Sequence, residues 1–378
     1  MEGLEGLTVM VAQEVHAADL DLILSVAKEE FGALAGSEVV LTGGAGFLGY
    51  SLVLSICEFN RRNPGAKIAL NVLDNFIRGC PPWLEEAARE RSIRLFRHDV
   101  TRPLPKGLPR ADFLIHAASI ASPTYYRRHP IETMDANVQG LRNLLDHCVA
   151  WKGDGYPTRG MLFFSSSEIY GDPSPEMIPT PETYPGVVSC TGPRACYDES
   201  KRYGETMCVN FASAHGVPVK VARPFNNYGP GLKLSDQRVI PDFCRAILAG
   251  EDITILSSGS PTRTFSYVAD AVAGYMKILV RGRPGEAYNI GTEKPEVSVA
   301  ELAELLVQVA RATLGYRGQV RLATSADPHY LTDNPQRRCP DLAKARGELG
   351  YAPQVSLQEG LLRTLLWYVD NQQWGDDR

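Results

Sequence analysis

Residues Thr42-Gly43-Gly44-Ala45-Gly46-Phe47-Leu48-Gly49 decide how the rest of the chain is read. The apolar run Val39-Val40-Leu41 before them has the character of a buried strand. Phe47 to Phe59 after them has the character of a helix. A glycine pattern between strand and helix is the context of a dinucleotide site. In that reading Gly43 permits the tight turn, Gly46 lets backbone approach a pyrophosphate, and Gly49 lets helix and strand pack closely. Phe47 and Leu48 open the helix whose free N–H groups and dipole favour an anion. The plain alternative is a glycine-rich turn that binds nothing.

Working outward, a second strand over Ile68 to Leu73 ends at Asp74, followed by Asn75. Asp74 lies a little over 20 positions beyond Gly49, where a ribose-binding carboxylate belongs. Its charge would repel a 2′-phosphate and so favours NAD over NADP, with Arg78 nearby arguing the other way. Strands and helices then alternate. Ile93 to Phe96 leads to His98-Asp99-Val100, with Asp99 and Val100 placed to meet an adenine edge. Phe113 to His116 leads to Ala117-Ala118-Ser119, small enough to let a flat ring approach. Ile131 to Ala150 is one long amphipathic helix, Met161 to Phe164 leads to Ser165 through Gly171, a helix spans Tyr197 to His215, and Val217 to Ala222 is a strand. Alternation of this kind implies a parallel sheet covered by helices on both faces. Ligands then bind beyond the carboxyl ends of the strands, where Asp74, Asp99, Ser119 and Ser166 to Glu168 all fall.

The expected organisation is α/β: a helical extension over 1–36, a doubly wound Rossmann domain over 37–230 with a return segment near 264–290, and a smaller substrate domain over most of 231–378. Ala18 to Leu34 reads as a single helix packed on the body. Residues 172–196 read as a long functional loop. Helices over Val239–Leu248, Ser298–Leu314 and Ser356–Gln372 are separated by short strands at Ile253–Leu256, Ala287–Ile290 and Val320–Ala323.

Bulk properties narrow the function. The chain has 378 residues, 44% of them hydrophobic and 22% charged, which is ordinary for a globular protein with a sizeable core. A net charge of −5 offers no basic surface for nucleic acid or anionic lipid. The eight cysteines are scattered, contain no C-x-x-C, and suit reduced thiols in the cytoplasm better than disulfides or a metal cluster. No apolar run has the length of a membrane span.

Tyr197 and Lys201 share a helix face at i, i+4. Of the sixteen tyrosines only Tyr197 has a lysine at that spacing. A phenol with a pKa of about 10 becomes a usable base when an ammonium and an oxidised nicotinamide stabilise its phenolate. Ser166, at a strand end, completes a set able to hold a sugar hydroxyl during hydride removal.

These features resemble the extended short-chain dehydrogenase/reductase superfamily, in the branch that modifies nucleotide sugars, over about Val39 to Asn371. Within that branch the chain is most similar to UDP-glucuronic acid decarboxylases. The matching stretches are Ala121-Ser122-Pro123, Ser166 to Pro173, Gly192 to Glu199, Lys201 to Cys208, Ala222 to Asn226, Gly259 to Phe265 and Asn334 to Asp341. The resemblance implies one tightly held NAD and a three-step reaction. Tyr197 takes the 4-hydroxyl proton as hydride leaves C4, the resulting β-keto acid loses carbon dioxide, and the ketone is reduced to UDP-xylose. It places Ser122, Glu168, Tyr170, Asn226, Arg263 and Arg338 at the nucleotide sugar, with Glu168 and Arg338 at the sugar carboxylate. Sugar 4,6-dehydratases carry an aspartate where this chain has Ser167, and 4-epimerases usually lack Glu168, so these are the alternatives on the same scaffold. A non-catalytic dinucleotide sensor would not need both Tyr197 and Lys201. The base, uracil or thymine, stays open. Departures from the decarboxylase pattern are Asn226-Asn227-Tyr228, Cys339 in place of lysine, and the N-terminal extension. The resemblance also implies a homodimer through the helices Ile131–Ala150 and Tyr197–His215, and no metal.

Overall fold

The computed structural model describes residues 11–325, 332 and 334–372. The first ten residues of the expected extension therefore lie outside the described residues, as do 326–331, 333 and 373–378 of the C-terminal region. The described residues open with α1 (Ala12–Val26) and α2 (Lys28–Leu34). The chain continues through β1 (Glu38–Thr42), α3 (Phe47–Arg62), β2 (Ala69–Asp74), α4 (Pro82–Arg89), β3 (Arg94–Arg97), β4 (Phe113–His116), α5 (Pro123–Arg128) and α6 (Pro130–Asp135). A π-helical turn over Ala136–Gly140 joins α6 to α7 (Leu141–Gly153). Then come β5 (Gly160–Phe164), α8 (Ala195–His215), β6 (Val219–Pro224), β7 (Asn227–Tyr228), α9 (Val239–Leu248), β8 (Ile253–Ile255), β9 (Thr262–Thr264), β10 (Ser266–Tyr267) and α10 (Val268–Arg281). The last elements are β11 (Ala287–Ile290), β12 (Glu296–Ser298), α11 (Val299–Leu314), β13 (Val320–Leu322), β14 (Arg337–Arg338), α12 (Ala343–Leu349) and α13 (Leu357–Asp370).

Seven parallel strands form the main sheet in the order β11-β6-β5-β4-β1-β2-β3. The order reverses between β1 and β4, and that switch point opens a crevice beyond the strand ends. Side chains alternate across each strand. Val39 and Leu41 of β1 join one core with Leu162 and Phe164, while Val40 joins Met161, Phe163 and the α7 residues Leu141, Leu144 and Leu145 on the opposite face. Both faces are apolar because both are covered. Three smaller sheets flank this layer: β10 with β7, β9 between β12 and β14, and β13 with β8.

Several expected elements are corrected. Ala18 to Leu34 is two helices, not one: the apolar stripe begins at Ala12 and Val15, and the backbone breaks at the fully buried Ala27 so that Phe31 and Leu34 also face the core. The helix expected over Ile131–Ala150 carries the π-turn where Asn137 Nδ2 donates to Ser200 Oγ of α8 at 2.9 Å. The last sheet strand but one begins at Val219 instead of Val217, because Pro218 has no N–H for the ladder. Ala287–Ile290 needs no such change: it lies in the return segment expected near 264–290 and pairs with β6 as an edge strand of the main sheet. Helix α10 was not among the expected helices, although Val268, Val272, Tyr275, Met276 and Leu279 recur at helical spacing; twelve of its fourteen residues are buried.

Candidate active site

The crevice encloses about 380 Å³ and is walled on one side by the glycine turn and on the other by the ends of β5 and β6 and the segments after them. Gly43 holds φ +79° and donates its N–H to Leu73 O at 2.8 Å. A Cβ there would sit 2.6 Å from the Ala117 carbonyl carbon, and one at Gly49 would sit 2.4 Å from Gly43 O. Backbone therefore packs on backbone at the switch point, and Gly46, Phe47 and Leu48 line the crevice beside Ala117 and Ser119. The buried Ser119 hydroxyl has no hydrogen-bond partner among the described residues. An anion-accepting helix start with an unpartnered donor beside it fits the pyrophosphate and ribose of a dinucleotide. Asp74 ends β2 just outside this wall, its oxygens accepting from Ala45 N–H at 3.0 Å and Phe76 N–H at 2.8 Å. Burial raises its pKa, and those two N–H groups oppose the rise. The Arg78 guanidinium donates to Asp236 at 2.5 Å and stacks on the Tyr125 ring.

Across the crevice stand Ser166, Tyr197 and Lys201, all three buried and all three lining it. Helix α8 carries Tyr197 and Lys201 on the face turned to β5, and Lys201 Nζ donates to Phe164 O at 2.7 Å. Burial pushes Tyr197 up to about 12, against a hydrogen bond with Ser166 that lowers it. Burial also draws Lys201 down to about 7. The ammonium lies 5.6 Å from the centre of the Tyr197 ring. The expectation for Tyr197 is that Lys201 acts together with an oxidised nicotinamide, not by itself. In this site the lysine is spent on a backbone carbonyl, and Tyr197 is a phenol until a further positive group arrives. Tyr126 stacks on Tyr197 with centroids 5.1 Å apart, its own hydroxyl unpartnered among the described residues.

Beside Tyr197, Glu168 meets two guanidinium groups. Arg338 spans both its oxygens, Nη2 donating to Oε2 at 2.8 Å, and Arg194 Nη2 donates to Oε2 as well. Burial would raise the Glu168 pKa, but Arg194 and Arg338 override it and hold the carboxylate well below the usual range. Arg263 lies nearby, held by the carbonyls of Thr262 at 2.7 Å and Gln336 at 3.2 Å and by Asn334 Oδ1 at 3.2 Å. Burial and then the charge of Arg338 bring it down to about 10. Asp198, 3.8 Å from Arg194 Nε, is the second carboxylate of the group. Arg194, Arg263, Arg338 and Glu168 thus line the crevice together, and Asp198 pairs with Arg194 off its wall. Ser167, also lining it, offers no acid. Asn226 lines it at φ +37°, a left-handed conformation rare outside glycine, with Nδ2 donating to Thr264 O at 2.9 Å.

The crevice thus gathers Gly43, Gly46, Phe47, Leu48, Gly49, Ala117, Ser119, Ser166, Ser167, Glu168, Tyr197, Lys201, Asn226, Arg263 and Arg338. Others sit off its walls. Asn75 closes its own turn by accepting from Ile77 N–H, Asp99 does so with Thr101, and Val100 is buried against Gly140; Ala118 lies one step behind Ala117. Ser122 and Tyr170 differ most from expectation. The Ser122 hydroxyl is buried and donates to Asp236 O at 2.9 Å. The Tyr170 hydroxyl donates to Asn289 Oδ1 and accepts from Arg223 Nη1, both at 2.7 Å, behind the wall. The sequence assigned no role to Tyr126, Arg194 or Arg238, all of which line the crevice. Arg194 stands three residues before Tyr197, one turn back on the same face, and that spacing was the available signal.

The sequence model of the NAD dependent epimerase/dehydratase family matches residues 39–291. UDP-glucuronic acid decarboxylase 1 of Xenopus tropicalis is 37% identical over 333 residues, 87% of this chain and 72% of that protein. UDP-glucuronic acid decarboxylase 5 of Arabidopsis thaliana is 36% identical over 326 residues, 85% of this chain and 86% of that protein. The structure of a dTDP-glucose 4,6-dehydratase from Streptomyces venezuelae with NAD bound superposes with a TM-score of 0.75 at 26% identity, covering 90% of this chain and 99% of that one. Fold, glycine turn, Tyr–Lys pair and sequence agree, and the chain belongs to the NAD dependent epimerase/dehydratase family.

Proposed function

We propose that the protein decarboxylates a nucleotide-linked uronic acid, UDP-glucuronate to UDP-xylose, through a 4-keto sugar. The observation that carries this reading is the convergence of Arg338 and Arg194 on Glu168 beside Tyr197. A neutral hexose needs no such pair of guanidiniums. A sugar acid does, because its carboxylate must be taken from water and held, and planar forked donors match it. Bound NAD supplies reversible hydride exchange with C4, and Gly46, Phe47, Leu48, Ser119 and Lys201 are the residues on the crevice wall that would hold it. Tyr197, steered by Ser166, takes and returns the 4-hydroxyl proton. A ketone at C4 makes the C5 carboxylate a β-keto acid, so the electrons left by departing carbon dioxide have an acceptor. Arg338 and Arg194 orient that carboxylate and offset its charge until it leaves, while ionised Glu168 holds the two guanidiniums in place. Ser167 in place of a carboxylic acid favours loss of carbon dioxide over loss of water.

The test is the product mass from UDP-glucuronate with purified protein. Loss of carbon dioxide without net NADH is expected. An unchanged mass with inverted C4 would establish an epimerase, and loss of water from a UDP- or dTDP-hexose a dehydratase. Ligand eluted from denatured protein identifies the base. Exposed Ile131 and Met134 on α6 and Tyr203 and Val209 on α8 support a homodimer built from these helices. The eight unpaired cysteines suit a reducing compartment such as the cytoplasm, and no helix among the described residues is long and apolar enough to cross a membrane.

A further inference from the structure

Helices α1 and α2 precede residue 39, where the family match begins. They pack on α3, α10 and α13 through Val15, Ile23, Phe31 and Leu34, all fully or almost fully buried. Packing alone asks only for apolar side chains. Yet two carboxylates sit on the buried side: Asp19, 6% exposed, and Glu30, 0% exposed. Burying a carboxylate costs several kcal/mol unless it is paired, and a pair of apolar groups would often be as stable. What a buried ion pair adds is a fixed position.

Both carboxylates grip one continuous segment. Asp19 Oδ2 accepts from the Tyr267 hydroxyl at 2.6 Å, while Oδ1 accepts from Arg363 Nη1 at 2.9 Å. Glu30 Oε1 lies 2.5 Å from Arg281 Nε and 3.9 Å from Lys277 Nζ. Tyr267 immediately precedes α10 and Arg281 ends it, so the extension holds α10 at both ends. The strands leading into α10 carry Arg263 and Phe265 on the crevice wall. They are laced to its floor: β10 pairs with β7, Ser266 N–H donates to Asn226 O at 3.2 Å, and the Tyr267 and Tyr228 rings meet edge to face at 5.6 Å. Asn226, Asn227 and Tyr228 line the crevice in turn. A shift of Tyr267 is therefore a shift of the surface that would receive the nucleotide sugar.

We propose that the N-terminal extension is a working part of the substrate cleft, with Asp19 a positioning residue that fixes the Arg263–Tyr267 segment, β9 and β10, through the Tyr267 hydroxyl. This rests on the nucleotide-sugar reading above. The experiment uses the full chain carrying Asp19→Ala, Tyr267→Phe or both. Amide hydrogen exchange is read over 226–228 and 262–268, UDP and NAD affinities by calorimetry, and kcat and KM separately. Either single variant should speed exchange in those two segments and weaken UDP binding about tenfold. The double variant should lose no more than either alone, with NAD affinity within about twofold of the parent and KM affected more than kcat. A lower melting temperature with parental exchange and UDP affinity would overturn the proposal and leave the extension as packing. If Asp19→Ala does not fold, Tyr267→Phe keeps the ring and carries the test. If the parent chain itself fails to bind UDP, the substrate reading falls, and the exchange arm still decides for or against the clamp.

Discussion

In the proposed reaction Glu168 is a fixed charge and not a proton carrier, because two guanidiniums hold it in the ionised state. Its depressed pKa sets a sign. The stability of the Glu168 pair is complete above the unfolded carboxyl pKa of about 4.3 and is lost as pH falls through the lower folded value. Urea unfolding of the parent and Glu168→Gln should therefore converge as pH drops below about 4. The two arginines separate binding from chemistry. Arg194→Ala should raise KM for the uronate about tenfold or more while UDP alone binds as before, measured by steady-state kinetics and calorimetry. Tyr197→Phe keeps the ring that stacks on Tyr126 and removes only the hydroxyl, so turnover should fall about 10²–10⁴-fold with NAD still bound. Much of this site was legible: Ser166, Glu168, Tyr197 and Lys201 sit in short local patterns whose geometry follows from a strand end and one helix turn. Ser122 and Tyr170 lie in the same patterns, yet their hydroxyls turn inward to Asp236 and Asn289, partners 114 and 119 positions away. No local spacing encodes that.

Elements were readable where an apolar period met a clear stop. The strand β4 and the helix α9 keep their expected ends, and α11 begins after Ser298, whose side chain caps Glu301 N–H at 3.1 Å with the reciprocal Glu301 bond at 2.7 Å. The π-turn between α6 and α7 was not readable, since the contacts it makes, Asn137 with Ser200 of α8 and Gly140 with Val100, join segments distant in sequence. The Gly140 contact makes a prediction. A Cβ at Gly140 would lie 2.6 Å from Val100 Cγ2, so Gly140→Ala should cost about 1–3 kcal/mol and lower the melting temperature by a few degrees in calorimetry. The glycine turn is less forgiving. Gly43 combines φ +79° with backbone at 2.6 Å, so Gly43→Ala should lose NAD affinity by at least about tenfold in a fluorescence titration, even in protein that folds.

For the whole molecule, the apolar side chains left exposed on α6 and α8 set the expectation of assembly. If the proposed homodimer forms, the parent should run as a dimer at micromolar concentration by light scattering and a paired Met134→Asp and Tyr203→Arg variant as a monomer. The sheet order places the glycine turn, Ser166 and Tyr197 at one rim, and the C-terminal segments close the far end by bringing Arg263 and Arg338 to Glu168, the latter across 170 positions.

The sequence by itself determined the α/β alternation, the dinucleotide turn and the Tyr–Lys pair, because strand burial, helix period and glycine sterics act within a few residues. Tertiary structure alone decided that Arg194 joins Arg338 on Glu168, that Lys201 is engaged by a backbone carbonyl, and that Asp19 of the N-terminal helices bonds the Tyr267 hydroxyl of β10. Those are electrostatic and hydrogen-bonding contacts between segments far apart in the chain, and they come into existence only once the core has closed around them.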